Sequence, residues 1–399
     1  METKILDNKL KIIYLEKETK SVCIEINVKA GSNDESEEIA GISHFIEHMI
    51  FEGTPKRPNS FVISNEIEKL GGELNAATSN ERTFFYAKVL SKHFDIALDV
   101  LSDIVKNPLF KEEHIKKEKK IVIDEIKMVH DQPRYFQWVL FEKELFKKHP
   151  MGKPIYGNID SIKNLSVEQI SSYFKKYYVP NNMTIVVVGK VDNLFEKVKQ
   201  KFADAKETKL LAQTYVVEPE KTENQFKTEK KGSIQAYVVL GYKTVSRRHD
   251  DSYVLDVVRA ILGRGQSGKI FDEIRNKRGL AYDVGVFHNP NLDTGYFAVY
   301  VNTDKKNIDK TKDIIVDEIQ KLKNITEEEI AEAKTFLEGE FLLTNEESQK
   351  MTDVIASWEQ VEDSGSVEKY LGRIAGVTKK DISLVVDEYF SYYTMAVLE

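Results

Sequence analysis

The pentad His44-Phe45-Ile46-Glu47-His48 constrains this chain more than any other stretch. It lies within residues 41–54, where apolar Ile42, Phe45, Ile46, Met49 and Ile50 recur at helical spacing and Gly53 offers a left-handed stop. His44 and His48 are therefore predicted one turn apart on one helix face, with Glu47 beside them. Two imidazoles so spaced can reach a single cation. The pentad also fits two satisfied histidines on a half-buried helix, so a third ligand decides between the readings.

That ligand is sought in residues 111–131, an amphipathic stretch predicted to be one long helix. Glu118 and Glu125 stand seven apart on it, nearly two turns, so both carboxylates project from one stripe. Two neutral imidazoles and one carboxylate fill three tetrahedral positions on Zn²⁺ and leave the fourth for water, the composition of a catalytic site. Structural zinc sites commonly close that position with thiolates, and this chain has one cysteine.

The order H-x-x-E-H inverts the commoner H-E-x-x-H helix of zinc proteases. With Glu125 following His48 after 76 intervening residues and Glu118 seven before it, the chain resembles the pitrilysin and insulinase family of zinc peptidases. The architectural match is to the short two-domain branch that includes the processing peptidase of mitochondria. Leu70 to Thr78, with Thr83 and Tyr86 beyond, is similar to the family's G-G-x-x-N-A-x-T segment, whose edge strand lies along the bound peptide. Tyr177 to Gly189 is similar to its Y-x-P-N-N-M-x-L-V-x-x-G region, and Arg275 to Tyr282 to the segment carrying an Arg and a Tyr seven apart.

The resemblance implies that His44, His48 and Glu125 hold Zn²⁺ and that Glu47 is the general base. Glu118 supports catalysis or orients a ligand histidine. Arg275 and Tyr282 contact the substrate carbonyl region, and Asn75 and Ala76 lie on the strand that a peptide extends. The implied activity is that of a zinc-dependent endopeptidase acting on peptides or unstructured protein segments, within a chamber formed by two chains. Its partner is a second copy or a related chain, and Arg275 and Tyr282 reach the metal from that partner. The same fold also serves as non-catalytic scaffold or partner subunits, which typically lack the full ligand set present here.

Composition agrees with a folded enzyme. A net charge of −7 argues against a nucleic-acid partner, which needs concentrated Lys and Arg on one face. Lys116-Lys117 and Lys119-Lys120 alternate with acids and read as a solvated helix face. No signal-peptide-like or membrane-spanning apolar run is present, so the expected location is the cytoplasm, with no membrane partner. The lone Cys23, in a strand-like run, fits a reducing compartment and reads as a small buried residue.

Along the chain, strands are predicted at 9–15 and 22–28, a helix at 60–70, one long strand-like stretch to Leu90, and a helix at 93–105 before the glutamate helix. The second half repeats the order: a strand at 233–242, helices at 250–262 and 269–275, and strands over 279–303. The helix at 250–262 holds the place of the metal helix but carries no H-x-x-E-H. The expected fold is α+β, with two similar halves, each a mainly antiparallel sheet packed against helices. The expected boundaries are a catalytic domain over 1–210, a linker over 211–231 and a metal-free domain over 232–399. Gly263 to Gly268 matches G-x-G-x-x-G but follows a helix where a dinucleotide site needs a strand, so it reads as an interhelical loop. His114, four before Glu118, reads as solvent-facing.

Overall fold

The computed structural model describes residues 1–210 and 216–399. They form two sheets, each belonging to one compact unit.

In the first unit, β1 (Glu2–Ile5), β2 (Lys11–Leu15), β3 (Ser21–Val28), β4 (Glu73–Thr78), β5 (Thr83–Leu90) and β6 (Met183–Val188) lie in the order β1-β2-β6-β3-β5-β4. Only the β2–β6 pair is parallel. Alternation along β3 sends Val22, Ile24, Ile26 and Val28 into a core shared with Phe45, Ile46, Phe85 and Leu98. The predicted single strand ending at Leu90 is a hairpin. Ser79 breaks it, because its amide donates to Arg82 O at 2.8 Å and its hydroxyl oxygen accepts the Arg82 amide at 3.1 Å.

In the second unit, β7 (Gln225–Glu229), β8 (Ala236–Thr244), β9 (Ala281–Pro290), β10 (Gly295–Thr303) and β11 (Thr394–Leu398) lie in the order β7-β11-β8-β10-β9. Here only β7–β11 is parallel. The order reproduces β2-β6-β3-β5-β4, so the repeat expected from the sequence is present as a topology. The fold is α+β as expected, with each mixed, mostly antiparallel sheet carrying its own helices.

Five helices of the first 150 residues matter below: α1 (Ile42–Ile50), α2 (Ser60–Glu68), α3 (Phe94–Lys106), α4 (Glu112–Asp131) and α5 (Pro133–Leu145). The compact units are not contiguous in sequence. The first comprises Met1–Lys127, Lys153–Thr214 and Thr344–Gly365; the second comprises Met128–Gly152, Tyr215–Leu343 and Ser366–Glu399. One change of unit, between 214 and 215, falls within the expected linker 211–231, whereas Met128–Gly152 and Thr344–Gly365 each belong to the unit that two contiguous domains would not give them. Helix Ser348–Val361 covers β3 and β6, whereas α5 packs on β8 and β11. Within the expected linker, 211–215 lie outside the described residues and Gln225–Glu229 is the edge strand β7, hydrogen-bonded along β11. Among the described residues no helix is long and apolar enough to cross a membrane.

Candidate metal centre

Packing decides which way α1 faces. Ile42, Phe45, Ile46, Met49 and Ile50 are all fully buried, which turns His44, Glu47 and His48 towards the opposite, partly open side. Its N-terminus is fixed twice. Gly41 has φ +89°, and a Cβ there would stand 2.4 Å from the Tyr156 carbonyl oxygen, so glycine is required. The Glu35 carboxylate accepts the amides of Gly41 and Ser43 at 2.6 and 2.8 Å, while burial holds its pKa up at about 7 against those bonds. The helix stops earlier than expected, at Ile50 with Phe51 as its cap. Gly53 lies beyond the stop at φ +143°, a conformation its neighbours Pro58 and Arg57 leave open only to glycine.

On α4, Ile115, Val122 and Ile126 are buried, and Glu118 and Glu125 present the predicted stripe to α1. One ligand atom each from His44, His48 and Glu125 lies within 4.8 Å of the others. Glu125 Oε2 is 3.7 Å from His44 Nε2 and 3.6 Å from His48 Nε2. Donors bound tetrahedrally to Zn²⁺ stand about 3.4 Å apart, so the two distances to Glu125 already lie close to the spacing an ion requires. The imidazole centroids are 4.8 Å apart.

Electrostatics fit the same use. Burial, with His48 adding to it, pushes His44 down to about 3, so its imidazole is neutral and has a lone pair to give. Burial pulls His48 down too, but its hydrogen bond to Glu118 and the charges of Glu47, Glu125 and Glu118 outweigh it and raise His48 overall. A divalent cation at Nε2 satisfies the same negative surroundings. Glu118 is buried, and its Oε2 lies 3.2 Å from His48 Nδ1; burial lifts its pKa but His48 and Lys117 bring it below the ordinary carboxylate value. Glu118 thus sits where an orienting partner of a metal-bound histidine sits. Glu47 is raised by burial, and hydrogen bonding from Thr78 and the nearby His48 offset that only in part. The Thr78 hydroxyl donates to Glu47 Oε2. This contact was not anticipated, although Thr78 belongs to the glycine-led segment singled out in the sequence.

Asn75 and Ala76 lie on β4, the outer strand of the first sheet, which pairs with β5 on one side and with no strand on the other among the described residues. Arg275 and Tyr282 belong to the second unit, where the guanidinium stands 4.5 Å over the Tyr282 ring. Arg275 lies on one turn of π-helix (Asp272–Asn276) that follows the short helix Lys269–Phe271, and Tyr282 is largely exposed on β9. His114 is not solvent-facing as expected: its Nδ1 is buried, 3.8 Å from Glu52, because the end of α1 packs over that side of α4. It is no part of the ligand cluster. The G-x-G-x-x-G match is an interhelical loop, and Cys23 is buried, as expected.

Residues 11–158 match the family model of the insulinases (peptidase family M16), and residues 164–337 match the M16 inactive-domain model. The chain belongs to the insulinase family of peptidases. An insulinase-family division into one half with a metal motif and one without accords with the ligand cluster in α1 and α4 and its absence from helix Asp251–Gly263. Relatives include the uncharacterized zinc protease YmxG of Bacillus subtilis, 35% identical over 76% of this chain and 74% of its own. Another, an uncharacterized zinc protease of Rickettsia felis, is 31% identical over 95% and 92% of the two chains. The insulinase fold is shared with a protease from Helicobacter pylori (TM-score 0.95, 24% identity, covering 100% of this chain and 99% of that one). It is also shared with an M16 inactive-domain structure from Pseudomonas fluorescens (TM-score 0.90, 19% identity, covering 100% and 97%).

Proposed function

We propose that this insulinase-family protein is a zinc-dependent endopeptidase that hydrolyses peptides or unstructured protein segments. The observation that carries the reading is the convergence of His44, His48 and Glu125 on one point, with the Glu47 carboxylate alongside on the same helix face. His44 and His48 would hold the ion through Nε2, and Glu125 through Oε2. When bound, zinc lowers the pKa of a coordinated water and polarises the scissile carbonyl.

Glu47 takes the proton during attack and returns it to the leaving amine, one carboxylate serving twice. Thr78 occupies its Oε2, which holds the side chain in one orientation. Glu118 accepts Nδ1–H of His48, keeps the Nε2 lone pair on the metal side and raises the basicity of the ring. The open edge of β4 at Asn75 and Ala76 takes an extended peptide as an added strand. Backbone pairing of this kind does not read side chains, so broad sequence tolerance follows. Arg275 and Tyr282 supply donors to the developing oxyanion from a second chain, a copy or a relative, that closes the chamber.

Changing Glu47→Gln is expected to leave zinc bound and abolish cleavage of a quenched peptide; retained turnover refutes the assigned base. Mixing Glu47→Gln chains with Arg275→Ala chains is expected to restore part of the activity. No recovery refutes sharing of the site between subunits. The non-catalytic scaffold reading is disfavoured by the presence of every ligand and the base.

A further inference from the structure

Two helices bring the ligands together, and one ion pair ties them at the level of the site. Glu52 lies just past the end of α1, buried, with its amide on Met49 O at 3.1 Å. Its Oε1 accepts from Lys117 Nζ of α4 at 2.9 Å. The same ammonium stands 3.4 Å from Glu118 Oε1, the oxygen that His48 does not use. Glu118 is therefore gripped at both ends, Lys117 on one oxygen and His48 on the other. Lys117 is itself fixed from the α1 side by Glu52. The side chains of Glu52 and Glu118 are 10% and 6% exposed, so this half-exposed lysine sets the rotamer of a carboxylate that has almost no water to lean on.

We propose that Lys117 and Glu52 are positioning residues of the metal site: they hold Glu118 against His48 Nδ1 and fix the approach of α1 to α4. The proposal rests on reading His44, His48 and Glu125 as metal ligands. Neither residue belongs to the ligand cluster, and both act through Glu118. A lysine in the predicted solvated run 116–120 is in this way assigned to the site, whereas its neighbour Lys116 pairs with exposed Glu112 on the outer face.

The test is zinc affinity of the full-length protein, measured by competition with a chromophoric chelator. Partners one shell out from a metal are worth 10–100-fold in affinity, so Glu118→Ala is expected to lose about that much and Lys117→Met about tenfold. Lys117→Arg, which keeps the charge, is expected to stay within about threefold of wild type. The deciding comparison is the double-mutant cycle: in a Glu118→Ala background, Lys117→Met is expected to change affinity less than about twofold. Equal losses in both backgrounds, or wild-type affinity in Lys117→Met, overturn the proposal, since a lysine that only stabilises the fold acts independently of Glu118. If Lys117→Met does not fold, Glu52→Gln carries the same comparison by releasing Lys117. Because the readout is binding, a protein that binds zinc but cleaves no peptide refutes the endopeptidase reading and leaves this result standing or falling on the cycle alone.

Discussion

Replacing Thr78 by Val removes one hydroxyl from the candidate site and almost no volume. The hydroxyl donates to Glu47 Oε2, and Glu47 is a buried carboxylate whose charged form is disfavoured by its burial. A hydrogen bond to a charged group contributes about 1.5–3 kcal/mol, and each 1.36 kcal/mol is tenfold in rate. If Glu47 is the base, Thr78→Val is expected to lower kcat/KM on a quenched peptide by roughly 10- to 150-fold. Zinc affinity is expected to be unchanged, because Thr78 is not one of the clustered ligands and its hydroxyl bonds Glu47. Thr78→Ser keeps the donor and is expected to recover most of the loss. A change within threefold for Val, or a Ser variant as poor as Val, refutes the claim that this hydroxyl prepares Glu47 for proton transfer. Loss of zinc from the Val variant refutes it in a different way, by showing that the β4 end supports the ligands as well.

Three further outcomes follow from the same geometry. His44→Ala, which leaves two of the three ligands, is expected to yield protein without bound zinc by metal analysis; stoichiometric zinc refutes the ligand set. In the second unit, burial holds Glu142 up at about 7, offset in part by the Tyr296 hydroxyl donating at 3.0 Å. A folded pKa above the unfolded one makes the stability fall as pH rises from about 4.5 to 7, by at most about 3 kcal/mol. Glu142→Gln is therefore expected to melt like wild type at pH 4.5 and higher than wild type at pH 8, and an unchanged difference across that range refutes it. Gly241→Ala places a Cβ 2.5 Å from the Phe141 ring, where α5 meets β8, and overpacking of that kind costs about 1–3 kcal/mol. An unchanged melting temperature shows that α5 can move aside.

The sequence carries its local periodicities faithfully and its long-range cover hardly at all. Both ligand helices were legible because the rule that buries Ile42, Phe45 and Met49, or Ile115, Val122 and Ile126, also fixes where the intervening His and Glu point. The repeat was legible because strand and helix order survives without sequence identity. Strand β3 shows where this stops. Its alternation of Val22, Ile24, Ile26 and Val28 with Cys23, Glu25 and Asn27 is the pattern of a sheet with one apolar face and one wet face. Yet Glu25 and Asn27 are buried, because helix Ser348–Val361 lies over them from more than 300 residues downstream. The polar residues are matched to that cover. Arg82 bonds Asn27 at 2.9 Å and Asp353 at 2.5 Å, Lys11 pairs with Glu359, and Asn27 donates to Glu25. No spacing rule links position 25 to position 353, so a cover built from ion pairs is indistinguishable in sequence from a solvated face. The same blindness hid Lys117: its run of lysines reads as surface, and only the placement of Glu52, 65 residues earlier, turns one member of the run inward to the site.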